Sequence, residues 1–424
     1  MKRTSILTLP AADVETLRRL GSETAEIARL AVHAEKAGMW RRLNDLEPVR
    51  PMVWINEIPW HEMDVNDELT LRCTDEWARD LEQTLRRTLY QWRHMPADMI
   101  VSPYIECPLA IESTGLGVQE EVDVAKTDEK NPVVSRHFHI QIKEPQDIRI
   151  IRDPVVTHDE ARTEIVFQTM RGIFGETIEV RKTGRKHFWF TAWDNLIRAW
   201  GVQEAMIDLV DRPEMVNAFV SRWAEASLKE LEQYERLALL AAGSNNTRVG
   251  SGGYGYTEKL PASWSGARPL TPRDMWGCSN AQIFSEVSPE MHWEFALRHD
   301  IPWLEKWGLN YYGCCEPLDG KVEILRRIPR LRKISMSPWV KLDRAAKAIG
   351  GDFVFSRKPN PAVLAEHEWR PDRARAELVE ALEKTRGLAV EVIMKDISTV
   401  RYQPRRLWEW EKMTMEEVER LAPR

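Results

Sequence analysis

The sequence has no long hydrophobic run and few cysteines. No stretch of about 18 apolar residues occurs, so we expect no transmembrane helix. The polar and charged residues between Asp13 and Glu35 are not typical of a signal peptide. Five cysteines among 424 residues form an odd set, which favours reduced thiols over a disulfide framework. We therefore expect a cytoplasmic protein.

Basic tracts, internal repeats and low-complexity linkers are also missing from the sequence. The 60 Lys and Arg residues are outnumbered by 66 Asp and Glu residues, giving a net charge of -6. Neither nucleic acid nor an anionic membrane is an expected partner for such a chain. A small-molecule substrate fits better, and the sequence leaves open a homodimer.

What the sequence does contain is an alternation of short strand-like runs with amphipathic helical patterns, which is typical of βα units around a parallel sheet. The predicted strands are residues 52–55, 99–105, 177–180, 246–250, 309–313, 332–336, 352–355 and 389–394. The predicted helices between them are residues 74–94, 158–174, 213–240, 288–307, 320–328, 341–349 and 371–386.

Eight such units predict an α/β fold of the (β/α)₈ TIM barrel type. A helical pattern at residues 11–38 precedes them, so we assign residues 1–50 to an N-terminal helical extension and residues 51–424 to the barrel. Two long insertions, residues 108–154 and 251–274, follow the second and fourth predicted strands.

The active site of such a barrel lies at the carboxyl ends of its strands. Polar side chains follow nearly every predicted strand, and each one taken alone is explained equally well by a helix cap or a surface ion pair. We interpret Glu57, Glu316, Lys358 and Asp396 as candidate catalytic residues. The candidate substrate-binding residues are Glu106, Arg248, Ser251, Asn280, Ser337 and Arg357.

The basic members of this set favour an anionic substrate. Arg248, Arg357 and Lys358 would be costly to bury at a barrel mouth without an anion, and a carboxylate-bearing ligand would satisfy them. The glycine-rich residues 250–255 lack the Lys-Ser/Thr ending of a phosphate-binding loop, so a flexible active-site loop is the preferred interpretation.

Cysteine is concentrated after the fifth predicted strand, where Cys314 and Cys315 precede Glu316. Thiolates and a carboxylate are suitable ligands for Zn²⁺, and Cys278 is the best remaining thiol to join them. The alternative is that these are ordinary buried cysteines, because adjacent residues of a strand point to opposite faces.

Residues 334–361 resemble the uroporphyrinogen decarboxylase superfamily, which includes cobalamin-dependent methyltransferases. Arg357-Lys-Pro-Asn-Pro361 stands where that family has a Gly-Asn-x-Asp-Pro-like turn, and Tyr312-Gly-Cys314 stands where the methyltransferases have a His-x-Cys zinc motif. Tyr312 replaces the histidine, and Asp396 is the obvious substitute for a third ligand. The resemblance implies a barrel, methyl transfer, zinc, and a corrinoid carried by a partner protein.

The leading hypothesis is therefore a methyltransferase of this superfamily that acts on a small anionic substrate. One alternative is a cofactor-free decarboxylase or lyase, in which Lys358, Arg248 and Asp396 stabilise carbanion charge and donate a proton. The other is a non-catalytic binding protein, which predicts strand-end charges that neutralise one another around a closed mouth.

Overall fold

The computed structural model describes residues 7–125, 134–263 and 268–421. The helices in these ranges are α1 (Ala11–Ala28), α2 (Val32–Asn44), α3 (Glu76–His94), α4 (Glu160–Phe174), α5 (Ala192–Trp200), α6 (Val202–Asp211), α7 (Pro213–Arg236), α8 (Pro289–His292), α9 (Arg298–Leu304), α10 (Val322–Leu325), α11 (Leu342–Ile349), α12 (Ala362–Ala365), α13 (Pro371–Lys384) and α14 (Arg405–Glu419). A π-helical segment, Trp293–Leu297, joins α8 to α9.

The strands are β1 (Met52–Ile55), β2 (Tyr104–Pro108), β3 (Ile111–Ser113), β4 (Val122–Ala125), β5 (Ser135–Phe138), β6 (Val156–His158), β7 (Glu179–Thr183), β8 (Trp276–Ser279), β9 (Leu309–Tyr312), β10 (Leu331–Met336), β11 (Val354–Arg357) and β12 (Val390–Met394). Six of them form one parallel sheet in the order β1-β12-β11-β10-β9-β8. The strands from β8 onward alternate with helices, which confirms the α/β class.

The N-terminal half is less regular. β2 pairs in parallel with β7, while β3–β6 and β4–β5 form short antiparallel pairs beside the first predicted insertion. Isolated parallel bridges join Phe190 to Ser279 of β8 and Arg185 to Leu240. Within the described ranges these pairings do not close into a hydrogen-bonded ring of eight strands, so the closed barrel stays a prediction.

Residues 246–250, the fourth predicted strand, are not a strand. The chain turns back there, with Gly250 at a φ of 54° and an antiparallel bridge from Arg248 to Tyr254. The strand that pairs with β9 on the side away from β10 is instead β8, whose four residues are all buried. Two helices, α5 and α6, also occupy residues left unassigned by the sequence pattern, and the N-terminal helical pattern is divided into α1 and α2.

No helix in the described part of the chain combines the length and apolar character needed to cross a bilayer. The cytoplasmic location stays a prediction.

A buried ion pair lies at the centre of the sheet. Lys333 on β10 and Glu391 on β12 are both fully buried, and the Lys333 Nζ is 2.9 Å from the Glu391 Oε2. The other carboxylate oxygen accepts a hydrogen bond of 2.6 Å from Ser356 on the intervening β11, and Lys333 also donates to the Tyr254 carbonyl. Each charge is therefore compensated, as burial requires.

We predict that Lys333→Met alone lowers the free energy of unfolding by about 3–5 kcal/mol, because it leaves the Glu391 carboxylate buried without its counter-ion. Adding Glu391→Gln removes that orphaned charge, so the double variant should be more stable than Lys333→Met, and urea denaturation measures both. Lys347→Met, at an exposed position of α11, is the control and should change stability by at most about 0.5 kcal/mol. A double variant less stable than Lys333→Met would contradict this account.

Candidate active site

A cavity of about 330 Å³ opens at the carboxyl ends of β1, β9 and β12. This is the end of a parallel sheet where ligands bind in α/β proteins. Its lining residues are Glu57, His187, Trp189, Arg248, Gly250, Gln282, Cys314, Cys315, Lys395 and Asp396.

Two carboxylates of the cavity have an unusual backbone conformation. Glu57 follows β1 with a φ of 53°, and Asp396 follows β12 with a φ of 56°. A left-handed backbone costs a non-glycine residue about 1–3 kcal/mol and is concentrated at functional sites. A hydrogen bond links the two turns: the Asp396 backbone N–H donates to the Glu57 Oε2 at 3.1 Å.

The charged groups of the cavity pair with one another. The Arg248 guanidinium is 2.8 Å from the Glu57 Oε1, and the Lys395 Nζ is 2.7 Å from the Asp396 Oδ2 and 3.5 Å from the Glu57 Oε2. Burial alone would lower the pKa of Lys395, but the negative charges of an ionised Cys314 and of the Glu57 carboxylate raise it above its ordinary value. Lys395 therefore stays protonated at neutral pH.

The two adjacent thiols lie beside this ammonium group. The Lys395 Nζ is 3.7 Å from the Cys314 Sγ, and the two sulfurs are 3.6 Å apart. The Cys315 thiol is 3.3 Å from the Asp396 Oδ2, to which it donates a hydrogen bond. Hydrogen bonding with Cys315 and the charge of Lys395 lower the pKa of Cys314 against the effect of burial, whereas the pKa of Cys315 is raised. Cys314 is thus the more acidic thiol of the pair.

Five of the residues predicted from the sequence line this cavity: Glu57, Arg248, Cys314, Cys315 and Asp396. Three others lie next to it without lining it. Glu316 is fully buried and accepts a 2.8 Å hydrogen bond from the Cys314 backbone N–H, so it shapes the turn after β9. Ser251 and Lys358 lie beneath the thiols, where each contacts the Tyr311 hydroxyl.

The remaining predicted residues do not line the cavity, although the Cys278 sulfur lies 3.9 Å from the Nε2 of the lining residue His187. Glu106 forms an ion pair of 2.5 Å with Lys186. The Asn280 amide donates to Asp194, and the buried Cys278 donates to the Phe188 carbonyl. Burial raises the pKa of Cys278 to about 12.

Arg357 and Ser337 form a second group outside the cavity. The Arg357 guanidinium lies among residues of α13 and α14 and donates a 2.6 Å hydrogen bond to the Ser337 carbonyl. Arg357 and Lys358 are adjacent, so their side chains leave the backbone in opposite directions. Only Lys358 is directed towards the thiols.

His187, Trp189, Gln282 and Lys395 line the cavity but were not among the predicted site residues. Burial, with the charges of Arg248 and Arg185, lowers the pKa of His187 to about 4, so this imidazole is neutral at pH 7. Trp189 is 38% exposed, whereas Phe188 and Phe190 are buried. The exposure alternates from Phe188 to Phe190 as in a strand, but the sequence His-Phe-Trp-Phe does not alternate between polar and apolar residues, so the period-2 pattern could not have located the segment.

Lys358 is 3% exposed and donates to the Tyr311 hydroxyl at 2.5 Å and to the Ser356 Oγ at 2.6 Å. Burial lowers its pKa to about 7, although the Glu391 carboxylate opposes the shift. The Lys358 amino group, which lies beneath the thiols, therefore titrates near neutral pH.

Comparison with known proteins finds similarity among solved structures. Neither a protein-family model nor a curated protein matches the sequence. Among solved structures, a methyltransferase from Methanosarcina mazei superposes with a TM-score of 0.50 at 12% sequence identity, covering 90% of this chain and 98% of that one. At this identity the likeness is one of fold, and membership of the uroporphyrinogen decarboxylase superfamily stays a prediction.

The predicted zinc ligands are not arranged around a common point. Among the described residues no three His, Cys, Asp or Glu side chains form a candidate metal site. Cys278 hydrogen-bonds elsewhere, and the ammonium of Lys395 lies beside Cys314, Cys315 and Asp396, where a cation would have to bind. The arrangement does not fit zinc, although zinc binding itself stays a prediction for metal analysis.

We predict that Lys395→Met binds Zn²⁺ at least about tenfold more tightly than the wild-type chain, because it removes a cation from among two thiols and a carboxylate. Equilibrium dialysis against zinc, followed by metal analysis, gives both affinities. Lys182→Met, at an exposed ion pair on β7, is the control. One tightly bound zinc per wild-type chain, lost in Cys314→Ser, would overturn our interpretation of Lys395.

We also predict that the stabilities of the wild type and Lys358→Met diverge with pH. In the unfolded chain Lys358 keeps its ordinary pKa of 10.5, whereas in the folded chain the pKa is about 7. The unfolded state therefore binds more protons between these values, and raising the pH stabilises the wild type relative to the variant by at most about 1.4 kcal/mol per pH unit. Urea denaturation of both proteins from pH 7 to 9 measures this difference. A constant difference would contradict the lowered pKa.

Proposed function

We propose that this protein is a methyltransferase acting on a small anionic substrate in the cavity beside Cys314. The observation that carries the proposal is the Cys314 sulfur in an open cavity, 3.6 Å from a second thiol and 3.7 Å from an ammonium group. These neighbours lower the pKa of the Cys314 thiol below its ordinary value, and we propose that Cys314 accepts the substrate's proton as a general base.

We further propose that the sheet closes into a (β/α)₈ barrel. β9 and β12 are three strand positions apart, which corresponds to about 14 Å in a flat sheet. Lys395 after β12 nevertheless reaches Cys314 after β9. The parallel bridges at Ser279 and Leu240 continue the pairing beyond β8. Both observations support a strongly curved sheet, and the fold of the methyltransferase neighbour is a further reason to test methyl transfer first.

The charges of the cavity suit a carboxylate-bearing substrate. Arg248 is 26% exposed, and its only carboxylate contact within 4 Å in the described residues is Glu57, which also contacts Lys395. A substrate carboxylate replaces Glu57 on Arg248, and Glu57 stays neutralised by Lys395. Trp189, whose ring centroid is 5.8 Å from the Arg248 guanidinium, gives the substrate an apolar surface.

In the proposed reaction the substrate's thiol, amine or hydroxyl group loses its proton to the Cys314 thiolate. The freed electron pair forms a bond to the methyl carbon, and the electron pair of the broken bond stays with the methyl donor. Cys315 and Lys395 stabilise the thiolate before this step, and Cys314 returns the proton afterwards. We propose a partner corrinoid protein as the donor, because the cavity is open to solvent.

A cofactor-free lyase is the second candidate, favoured by the protonated Lys395 ammonium, which can stabilise carbanion charge. It predicts release of CO₂ or another small product without a methyl donor. The binding-protein alternative is supported by the mutual pairing of the charges but not by the open cavity.

We predict that Cys314→Ser lowers kcat by about 10²–10⁴-fold, the contribution of a positioned general base, while Arg248→Gln mainly raises KM. The assay follows methyl transfer from methylcobalamin to a panel of small carboxylates bearing a thiol, amine or hydroxyl group. Cys107→Ala, in the separate core under β2 and β7, is the control and should keep full activity. A wild-type chain that transfers no methyl group but releases CO₂ from the same carboxylates would favour the lyase.

A further inference from the structure

The two thiols of the cavity are adjacent in sequence and close in space. The Cys314 and Cys315 sulfurs are 3.6 Å apart, both residues line the open cavity, and neither forms a disulfide. We propose that this pair is a redox modification site at which a hydroperoxide oxidises the two thiols to a reversible disulfide. The oxidation itself is independent of methyl transfer, and only its effect on turnover rests on the proposed function.

The surroundings divide the roles of nucleophile and resolving thiol between the two sulfurs. The Cys314 Sγ is 3.7 Å from the Lys395 Nζ, and a neighbouring ammonium group favours the nucleophilic thiolate. The Cys315 thiol already donates its hydrogen bond to the Asp396 carboxylate, which can take the proton when Cys315 attacks. A disulfide bond is about 2.05 Å long, so rotation of the two side chains must bring the sulfurs about 1.5 Å closer.

The chemistry balances with hydrogen peroxide as the oxidant. The Cys314 thiolate attacks one peroxide oxygen, a sulfur–oxygen bond forms, the oxygen–oxygen bond breaks, and hydroxide leaves. The Cys315 sulfur then attacks the resulting sulfenic acid, the sulfur–sulfur bond forms, and a second hydroxide leaves. With the two thiol protons the hydroxides become two water molecules. The cysteine pair loses two electrons and the peroxide gains them.

The geometry of adjacent cysteines also makes the product reversible. Consecutive α-carbons of a trans peptide are about 3.8 Å apart, which is below the usual separation for disulfide-bonded cysteines. A disulfide across this separation is strained, and strained disulfides have the more oxidising potentials of regulatory bonds. A dithiol reductant is therefore expected to restore both thiols.

The other three cysteines are poor targets for the same oxidant. Cys73, Cys107 and Cys278 have exposed fractions of only 1%, 0% and 2%. Burial raises the pKa of each of these thiols, which leaves little thiolate at neutral pH. Oxidation by peroxide is accordingly confined to the pair in the cavity.

The test treats the reduced full-length protein with hydrogen peroxide, alkylates the remaining thiols, and locates the modified residues by mass spectrometry. The expected result is loss of two alkylated thiols, a peptide two hydrogen masses lighter that contains both Cys314 and Cys315, and recovery with dithiothreitol. Cys315→Ser should stop at a sulfenic acid on Cys314 that dimedone traps. Lys395→Met should react at least about tenfold more slowly, because less thiolate is present.

Matched controls distinguish failure of the disulfide proposal from failure of the proposed methyl transfer. Cys107→Ala should form the disulfide at the wild-type rate, and Cys314→Ser should lose the reaction at residue 315. Alkylation of Cys314 and Cys315 that is unchanged by peroxide, or a disulfide linking two chains, would overturn this proposal even in a chain that transfers methyl groups. Disulfide formation in a chain without methyl transfer would leave it standing and reject the proposed function.

Discussion

The Lys333–Glu391 ion pair is the interaction on which the rest of the sheet interior depends. Two charges without solvent exposure require partners for every polar atom, and here these partners come from β11 and from the Tyr254 carbonyl. The same carboxylate also limits the segment before Tyr254. A side chain at Gly252 would lie 2.3 Å from the Glu391 Oε1. Glycine is therefore required at this position, and the segment that carries Arg248 to the cavity turns directly above the ion pair.

Polar groups connect this buried pair to the open cavity in successive layers. Ser356 bonds to Glu391 below it and receives hydrogen bonds from Lys358 and Tyr311. Tyr311 in turn contacts Ser251, whose hydroxyl also donates to the carbonyl of Gly313, immediately before the thiols. The exposure of these groups increases only at Cys315, so the thiols lie at the boundary between a dry polar interior and solvent. This boundary explains why burial and nearby charge both affect their pKa values.

The sequence predicted β1, β9, β10 and β12 to within one residue at each end, because turn residues such as Pro51, Gly308, Gly313 and Pro338 lie at or near their ends. It failed at residues 246–250, where side chains that resemble a strand precede Gly250, and it missed β8, which is short and contains a glycine. The rule that polar residues follow strands located four cavity residues, Glu57, Cys314, Cys315 and Asp396, but did not determine the direction of their side chains. Arg248 reaches the cavity from the segment that was wrongly predicted as a strand. Arg357 ends β11 and Lys358 follows it, so their side chains point to opposite faces. Glu316 turns back and accepts a hydrogen bond from the Cys314 backbone. Side-chain direction at a strand end is set by the turn, which the sequence pattern does not specify.

Glu57 links the side of the cavity that carries Arg248 to the side that carries Lys395 and Asp396. Its carboxylate contacts Arg248 through one oxygen, and through the other it contacts both Lys395 and the Asp396 backbone N–H. In the proposed function a substrate carboxylate takes the place of Glu57 on Arg248, which leaves Glu57 in contact with Lys395 and the Asp396 backbone N–H. Lys395 then divides its hydrogen bonds between two carboxylates and the Cys314 sulfur. A stronger attraction to Glu57 weakens the stabilisation of the thiolate and makes it a stronger base. In the proposed function, binding of an anionic substrate at Arg248 therefore increases the basicity of Cys314 through this shared carboxylate.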